Sequence, residues 1–255
     1  MTRVIAITSG KGGVGKTTVA VNLAASLHKL GKEVVLIDAN VTTPNVSLHL
    51  GLPLVGPTLH DVLRGKANIL QTIHIHPSGL KVIPAGLSLY DLLNTDPEFL
   101  SSAIYDLLGK FDFVILDTSA GLGKETISAI KAAESIIVVV NPEIPSLTDA
   151  LKVIKLAENF NIKIEGIVIN RYQGRPYELK PATIESLLEH KILGVIPEDE
   201  NVKKAIAMKN PIVFAFPNSP ASKAIMNIAR KLIGLPEVKE KEGFLQRILQ
   251  LLKIK

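Results

Sequence analysis

The chain contains no cysteine. That excludes a thiolate-held metal or an iron–sulfur cluster, because both are built on cysteine sulfur. The same absence fits a reducing cytosol. No apolar run reaches the roughly 18 residues that a bilayer-spanning helix requires. The opening stretch, MTRVIAITSG, lacks the basic-then-apolar layout and cleavage site of a secretory signal, so the expectation is a cytoplasmic chain. Repeats and low-complexity tracts are missing too. Acidic groups are slightly outnumbered, 24 against 29 Lys and Arg, for a net charge of +5. An excess that small points to nucleic acid or anionic lipid only once it is located on a surface.

What is present is material for a core. Hydrophobic residues make up 47% of the 255 positions and charged residues 21%, which suits one large globular domain. Short β-branched runs recur: RVIAITS, EVVLIDA, FDFVILDTS, SIIVVVNP, IEGIVINR and ILGVIP. Each is bounded by turn or charged residues and reads as a strand buried on both faces of a parallel sheet. Helical periods lie between them, such as Ala20, Leu23, Ala24, Leu27 and Leu30, or Leu151, Ile154 and Leu156. The alternation predicts an α/β, doubly wound, mostly parallel sheet with helices on both faces. The stretch TIHIHPSGLKVIPAG predicts a small hairpin around a Pro-Ser-Gly turn. Its His74 and His76 share a strand face, but two histidines without further ligands are a weak metal signal.

The most specific stretch is TSGKGGVGKTTVAVNLA, residues 8–24. Gly10, Gly15, Lys16 and Thr17 satisfy G-x-x-x-x-G-K-[ST] between a predicted strand and a predicted helix, the context that a phosphate-binding loop requires. Gly10, Gly12, Gly13, Val14 and Gly15 let backbone N–H groups face phosphates, and the helix N-terminus adds positive potential. The motif assigns Lys16 to the β- and γ-phosphates, Thr17 to Mg²⁺ through its hydroxyl, and Thr18 to the α-phosphate. N-K-x-D, the usual guanine signature, does not occur.

Lys11 is a second lysine in this loop, and the spelling KGGVGKT resembles the deviant phosphate loop of the MinD/ParA family. The resemblance runs over essentially the whole chain. It implies an ATPase that dimerises with ATP sandwiched between subunits, Lys11 crossing to the partner's phosphates like an arginine finger. In FVILDTSAG, Asp117 looks like the aspartate that holds Mg²⁺ through water, and Gly121 like the glycine of the γ-phosphate-sensing loop. That loop usually reads D-x-P-x-G, and Ser119 stands in place of the proline. In VLIDANVTTPNVSL, Asp38 matches the first acidic position of the family's switch region, a second metal-site candidate, and Asn45 matches the asparagine near the γ-phosphate. Asn40 departs from the family, which usually has an aspartate there facing the attacking water. Asparagine orients water but takes no proton. Lys11, Lys16 and Asn40 are therefore the candidate catalytic residues, with slow turnover or an ATP-trapped form as the two readings of Asn40. Asn170, Arg171, Pro197, Glu198 and Asp199 resemble the family's adenine-binding segments. Asp149 resembles a position near the dimer or partner surface.

The end of the chain differs in kind. Residues 235–242 read as a charged linker between a nucleotide domain (1–234) and a C-terminal amphipathic helix (243–255). Phe244, Leu245, Ile248, Leu249, Leu251 and Leu252 fall on one half of that helix, with Gln246, Arg247, Gln250 and Lys253 opposite. Three cations and no acidic residue follow Gly243, which predicts binding at an anionic bilayer surface. Two such helices in a dimer bind better than one through effective concentration. The resemblance thus implies a peripheral membrane protein at the cytoplasmic face. Its expected partners are a second copy, anionic lipid, and an activating or recruited protein not named by the sequence; it would position machinery such as the division site. Rival readings are a DNA-partition ATPase, for which the lipid-like tail is the wrong feature, and a nucleotide-gated adaptor with little hydrolysis. Iron–sulfur carriers and nitrogenase-type reductases share the loop but need the missing cysteines.

Overall fold

The computed structural model describes residues 1–53, 55–88 and 95–238. The six apolar runs are strands: β1 (Arg3–Thr8), β2 (Val34–Asp38), β5 (Phe113–Asp117), β6 (Ser135–Val140), β7 (Lys163–Tyr172) and β8 (Ile192–Pro197). The expected hairpin is β3 (His74–Ile75) with β4 (Lys81–Ile83), paired antiparallel. Its turn places Gly79 at φ 87°, a region that favours glycine. All eight strands form one sheet in the order β3-β4-β2-β5-β1-β6-β7-β8. Every other neighbouring pair is parallel.

Strand residues alternate between two cores, as a period of two dictates. Val4, Ala6, Val35 and Ile37 face one side. They meet α3 (Leu59–Leu63), α4 (Leu100–Ile104), α5 (Lys124–Ala132), α6 (Ile144–Asn159) and α7 (Pro181–Leu188). Ile5, Ile7, Val34 and Leu36 face the other side. There they meet α1 (Lys16–Lys29), α2 (Val46–Leu50), α8 (Glu200–Ala207), α9 (Ile212–Ala215) and α10 (Pro220–Leu232). This is the doubly wound sheet that the alternation predicts. Ile5, Ile7, Leu36 and Ile37 are fully buried, and each such side chain contributes about 1.5–3 kcal/mol of transfer free energy.

β5 enters the sheet between β1 and β2, so Asp117 pairs in register with Ile7 on one side and Asp38 on the other. Three strand ends thereby converge at the carboxyl rim, where open α/β sheets bind ligands. At the opposite rim, Arg3 donates to the Leu232 carbonyl at 2.6 Å and to Glu165 at 2.7 Å. The described part of the expected linker folds back on α10. Val238 N donates to Asn227 Oδ1 at 2.9 Å, and Arg230 Nε to the Pro236 carbonyl at 2.6 Å. The helix expected over 243–255 lies outside the described residues.

Candidate nucleotide site

The loop between β1 and α1 is shaped by contacts that only small residues permit. A Cβ on Gly10 would lie 2.6 Å from the Ala150 nitrogen and closer still to the Asp149 carbonyl, inside the α6 backbone. Gly15 has φ +96°, and a Cβ there would fall on the Asn170 amide. Gly13 also has positive φ (79°), whereas a Cβ on Gly12 would meet nothing nearer than Ala120 at 3.9 Å. Ser9 Oγ donates to the Lys11 carbonyl at 2.7 Å, and Gly121 N to the Ser9 carbonyl at 3.1 Å. Gly15 is the N-cap of α1 and offers no side-chain cap, nor is there an acidic residue in the first turn. The first amides of α1 therefore remain donors for an anion, with the helix dipole behind them. Val14 is buried behind the loop, and Thr18 follows Thr17 in the first turn of α1.

Lys16 is buried, and burial pulls its pKa below the usual lysine value, opposed by the Asp117 carboxylate. Thr17 Oγ1 donates to Asp117 Oδ2 at 2.6 Å. Asp38 Oδ2 accepts the backbone N–H groups of Asn45 and Val46, each at 2.9 Å, so it also anchors the start of α2. Both aspartates are fully buried, and Oδ1 of each lacks a hydrogen-bond partner. Burial raises the Asp38 carboxyl well above its usual range, and the neighbouring Asp117 charge raises it further. Burial pushes Asp117 up to about 7, against the Thr17 hydrogen bond and the Lys16 charge. Two orphaned carboxylate oxygens beside a threonine hydroxyl are the donor set of a hard cation such as Mg²⁺. Thr17, Asp38 and Asp117, the sequence candidates for metal, thus meet at one place.

The remaining candidates divide. Lys11 stands on the surface, 3.3 Å from Glu143 Oε1, with both side chains about half exposed (47% and 50%). Glu143 stands at the N-cap position of α6 without a side-chain cap bond, and its pairing with Lys11 was missed in the sequence; the signal available was an acid where β6 runs into a helix. Asn40 is buried and its amide is engaged. Its Nδ2 donates to the Thr43 carbonyl at 2.7 Å, and its Oδ1 accepts from Thr43 N at 3.2 Å and from Ser119 Oγ at 2.7 Å. The Asn45 side chain also donates to the Thr43 carbonyl. Gly121 has φ 79°, which lets the loop turn toward Ser9.

In the segments expected at adenine, Asn170 donates from Nδ2 to the Val14 carbonyl at 2.7 Å, bracing the phosphate loop. Arg171 has φ 58°, a left-handed backbone uncommon for arginine, and its Nε is 3.9 Å from Glu198. Pro197 pairs with Tyr172 across β8 and β7, and Glu198 N donates to the Tyr172 carbonyl. The Asp199 carboxylate accepts from Asn201 N and Ala221 N. Burial pushes its pKa up, but these donors outweigh it and the net shift is downward. Asp199 thus caps α8 and ties it to α10. Both ring nitrogens of His76 are engaged, with Ser78 and the Lys209 carbonyl, so that ring is a structural pin and not a ligand. Asp149 meets Lys152 at 2.9 Å.

This geometry has relatives. The family model of the CobQ/CobB/MinD/ParA nucleotide binding domain matches residues 5–212. The chain belongs to the MinD/ParA family. An uncharacterised ATP-binding protein of Methanocaldococcus jannaschii is 46% identical to this MinD/ParA member over 253 residues, covering 96% of this chain and 95% of its own. The septum site-determining protein MinD of Pyrococcus horikoshii, solved with Mg-ADP, superposes with a TM-score of 0.88 at 34% identity. That match covers 96% of this chain and 99% of the solved one. MinD in the MinC:MinD cell division complex of Aquifex aeolicus gives 0.84 at 33% identity, covering 94% and 98%.

Proposed function

We propose that this MinD-like protein is a Mg²⁺-dependent, ATP-hydrolysing switch that dimerises around ATP and docks on membrane through residues 243–255. One observation carries the nucleotide part: Lys16, Thr17, Asp38 and Asp117 meet at the carboxyl rim with two buried carboxylate oxygens unpartnered. Thr17, Asp38 and Asp117 would hold Mg²⁺, which neutralises charge on phosphate oxygens. The loop amides and Lys16 would bind and orient the phosphates, with Asn45 and Gly121 sensing the terminal one. Asn170, Arg171, Pro197 and Glu198 border the base. Mg-ADP in the Pyrococcus relative supports a nucleotide and Mg²⁺ site in this protein.

The exposed Lys11–Glu143 pair is worth only ~0–1 kcal/mol, so Lys11 can leave it for the phosphates of a second copy. The Aquifex relative is solved with a protein partner, MinC, which supports a recruited or activating protein here. The protein then works at the cytoplasmic face of the membrane, in spatial regulation of the kind that the relatives' names describe.

The test is co-sedimentation with anionic liposomes in Mg-ATP against Mg-ADP, for the full chain and a chain ending at Glu242. Binding that needs both ATP and the tail is the expected result. Equal binding in both nucleotides, or none, refutes the gated membrane switch. Capture of non-specific DNA instead would favour the partition reading.

A further inference from the structure

Two departures from the family pattern touch each other. Asn40 stands where the family has aspartate, and Ser119 where it has proline. In the fold, Ser119 Oγ lies 2.7 Å from Asn40 Oδ1 and in a short hydrogen bond with Glu125 Oε2. Glu125 belongs to the first turn of α5 and is half-buried. The orientation of Asn40 is not free: Nδ2 donates to the Thr43 carbonyl, and Oδ1 accepts from Thr43 N and Thr43 Oγ1. Its oxygen therefore faces Ser119. A serine hydroxyl carries one proton, yet here it stands between an amide oxygen and a carboxylate oxygen, both acceptors. Thr43 already donates twice to Asn40 Oδ1, so the one Ser119 proton goes to Glu125, whose carboxylate keeps acceptor sites for the hydrogens of a water. Acceptors that take both hydrogens of a water leave its lone pair aimed outward, which is how a water is oriented for attack.

We propose that Glu125 is a positioning residue for hydrolysis: acting through Ser119, it supplies the carboxylate missing at position 40. The inference rests on the hydrolysis reading above. It also explains why position 40 is asparagine. An aspartate there would set a second carboxylate against the hydroxyl that Glu125 already holds, and like charges at that range repel.

The test is steady-state ATPase activity of the full chain, beside binding of a fluorescent ATP analogue in Mg²⁺. Glu125→Gln keeps the size and the helix but removes the charge. It should lower kcat about 10- to 100-fold, with affinity and KM held within about threefold. Asn40→Asp alone should lower kcat, since it sets a second carboxylate against Glu125, whereas Asn40→Asp with Glu125→Gln should recover most of the lost rate. A merely structural Glu125 would not produce that rescue. Wild-type kcat in Glu125→Gln, or a double variant no faster than Glu125→Gln, overturns the proposal while the hydrolysis reading stands. A parent chain that binds Mg-ATP but releases no phosphate, with or without anionic liposomes, overturns both.

Discussion

Gly10→Ala is the sharpest test of how the phosphate loop is seated. The added methyl would sit 2.6 Å from the Ala150 nitrogen. Ordinary contact begins near 3.4 Å, so loop and helix must part by at least 0.8 Å, the difference between those two distances. Neither side can yield by changing a rotamer, because the obstacle is backbone. Overpacking of this kind costs about 1–3 kcal/mol, and backbone against backbone belongs at the upper end. For a domain of this size, ~3 kcal/mol lowers Tm by about 6–12 °C. Gly12→Ala is the control, since its methyl meets nothing nearer than 3.9 Å. Thermal unfolding followed by circular dichroism, without nucleotide, separates them. Gly10→Ala should melt well below the parent and Gly12→Ala within about 2 °C of it. Equal melting of all three would refute the claim that Gly10 is there for the α6 contact.

The Asp117 carboxyl, pushed up to about 7, makes Mg²⁺ binding compete with a proton. Apparent Mg²⁺ affinity should rise with pH toward 7 and level off above it, as read by metal titrations at fixed nucleotide. By the same linkage the metal-free fold, which holds that proton longer than the unfolded chain, should lose stability as pH climbs from about 4 toward 7. Asp117→Asn removes a buried charge, so it should raise the metal-free Tm while abolishing Mg²⁺-dependent nucleotide binding. Asn170→Ala leaves the Val14 carbonyl without its donor at a buried site; a loss of about 1–3 kcal/mol in urea unfolding, together with weaker ATP binding, is the expected result. Glu143→Gln frees Lys11 from its ion pair and should change Tm by less than about 2 °C.

Much of this was legible in the residues. Strands such as VVLID and SIIVVV are buried along their whole length, and continuous β-branched runs announce that. The phosphate loop was legible because its glycines and lysine are contiguous. Strand order was not: nothing local says that β5 enters between β1 and β2, and that step alone sets Asp117 beside Asp38. Side-chain aim was hidden for the same reason. Asn170 and Asp199 resemble the family's adenine-binding segments in sequence, but in the fold one braces Val14 and the other caps a helix, facts set by residues far away in sequence. The Asn40–Ser119–Glu125 contact joins positions 79 residues apart, and its only local sign was a carboxylate one turn beyond Gly121.

The bond from Asn170 to Val14 spans 156 residues of chain, and the one from Arg3 to Leu232 spans 229. A ribosome adding about 5–20 residues per second takes roughly 8–30 s to cover the first distance. Through that interval the phosphate loop has neither its brace nor β7, the strand that carries Asn170. α1, meanwhile, waits for α10 to cover its apolar face. The nascent chain therefore becomes able to grip a nucleotide only after β7 and α10 have followed the loop, and a chaperone acting on it would meet an open loop and a bare helix before any finished site.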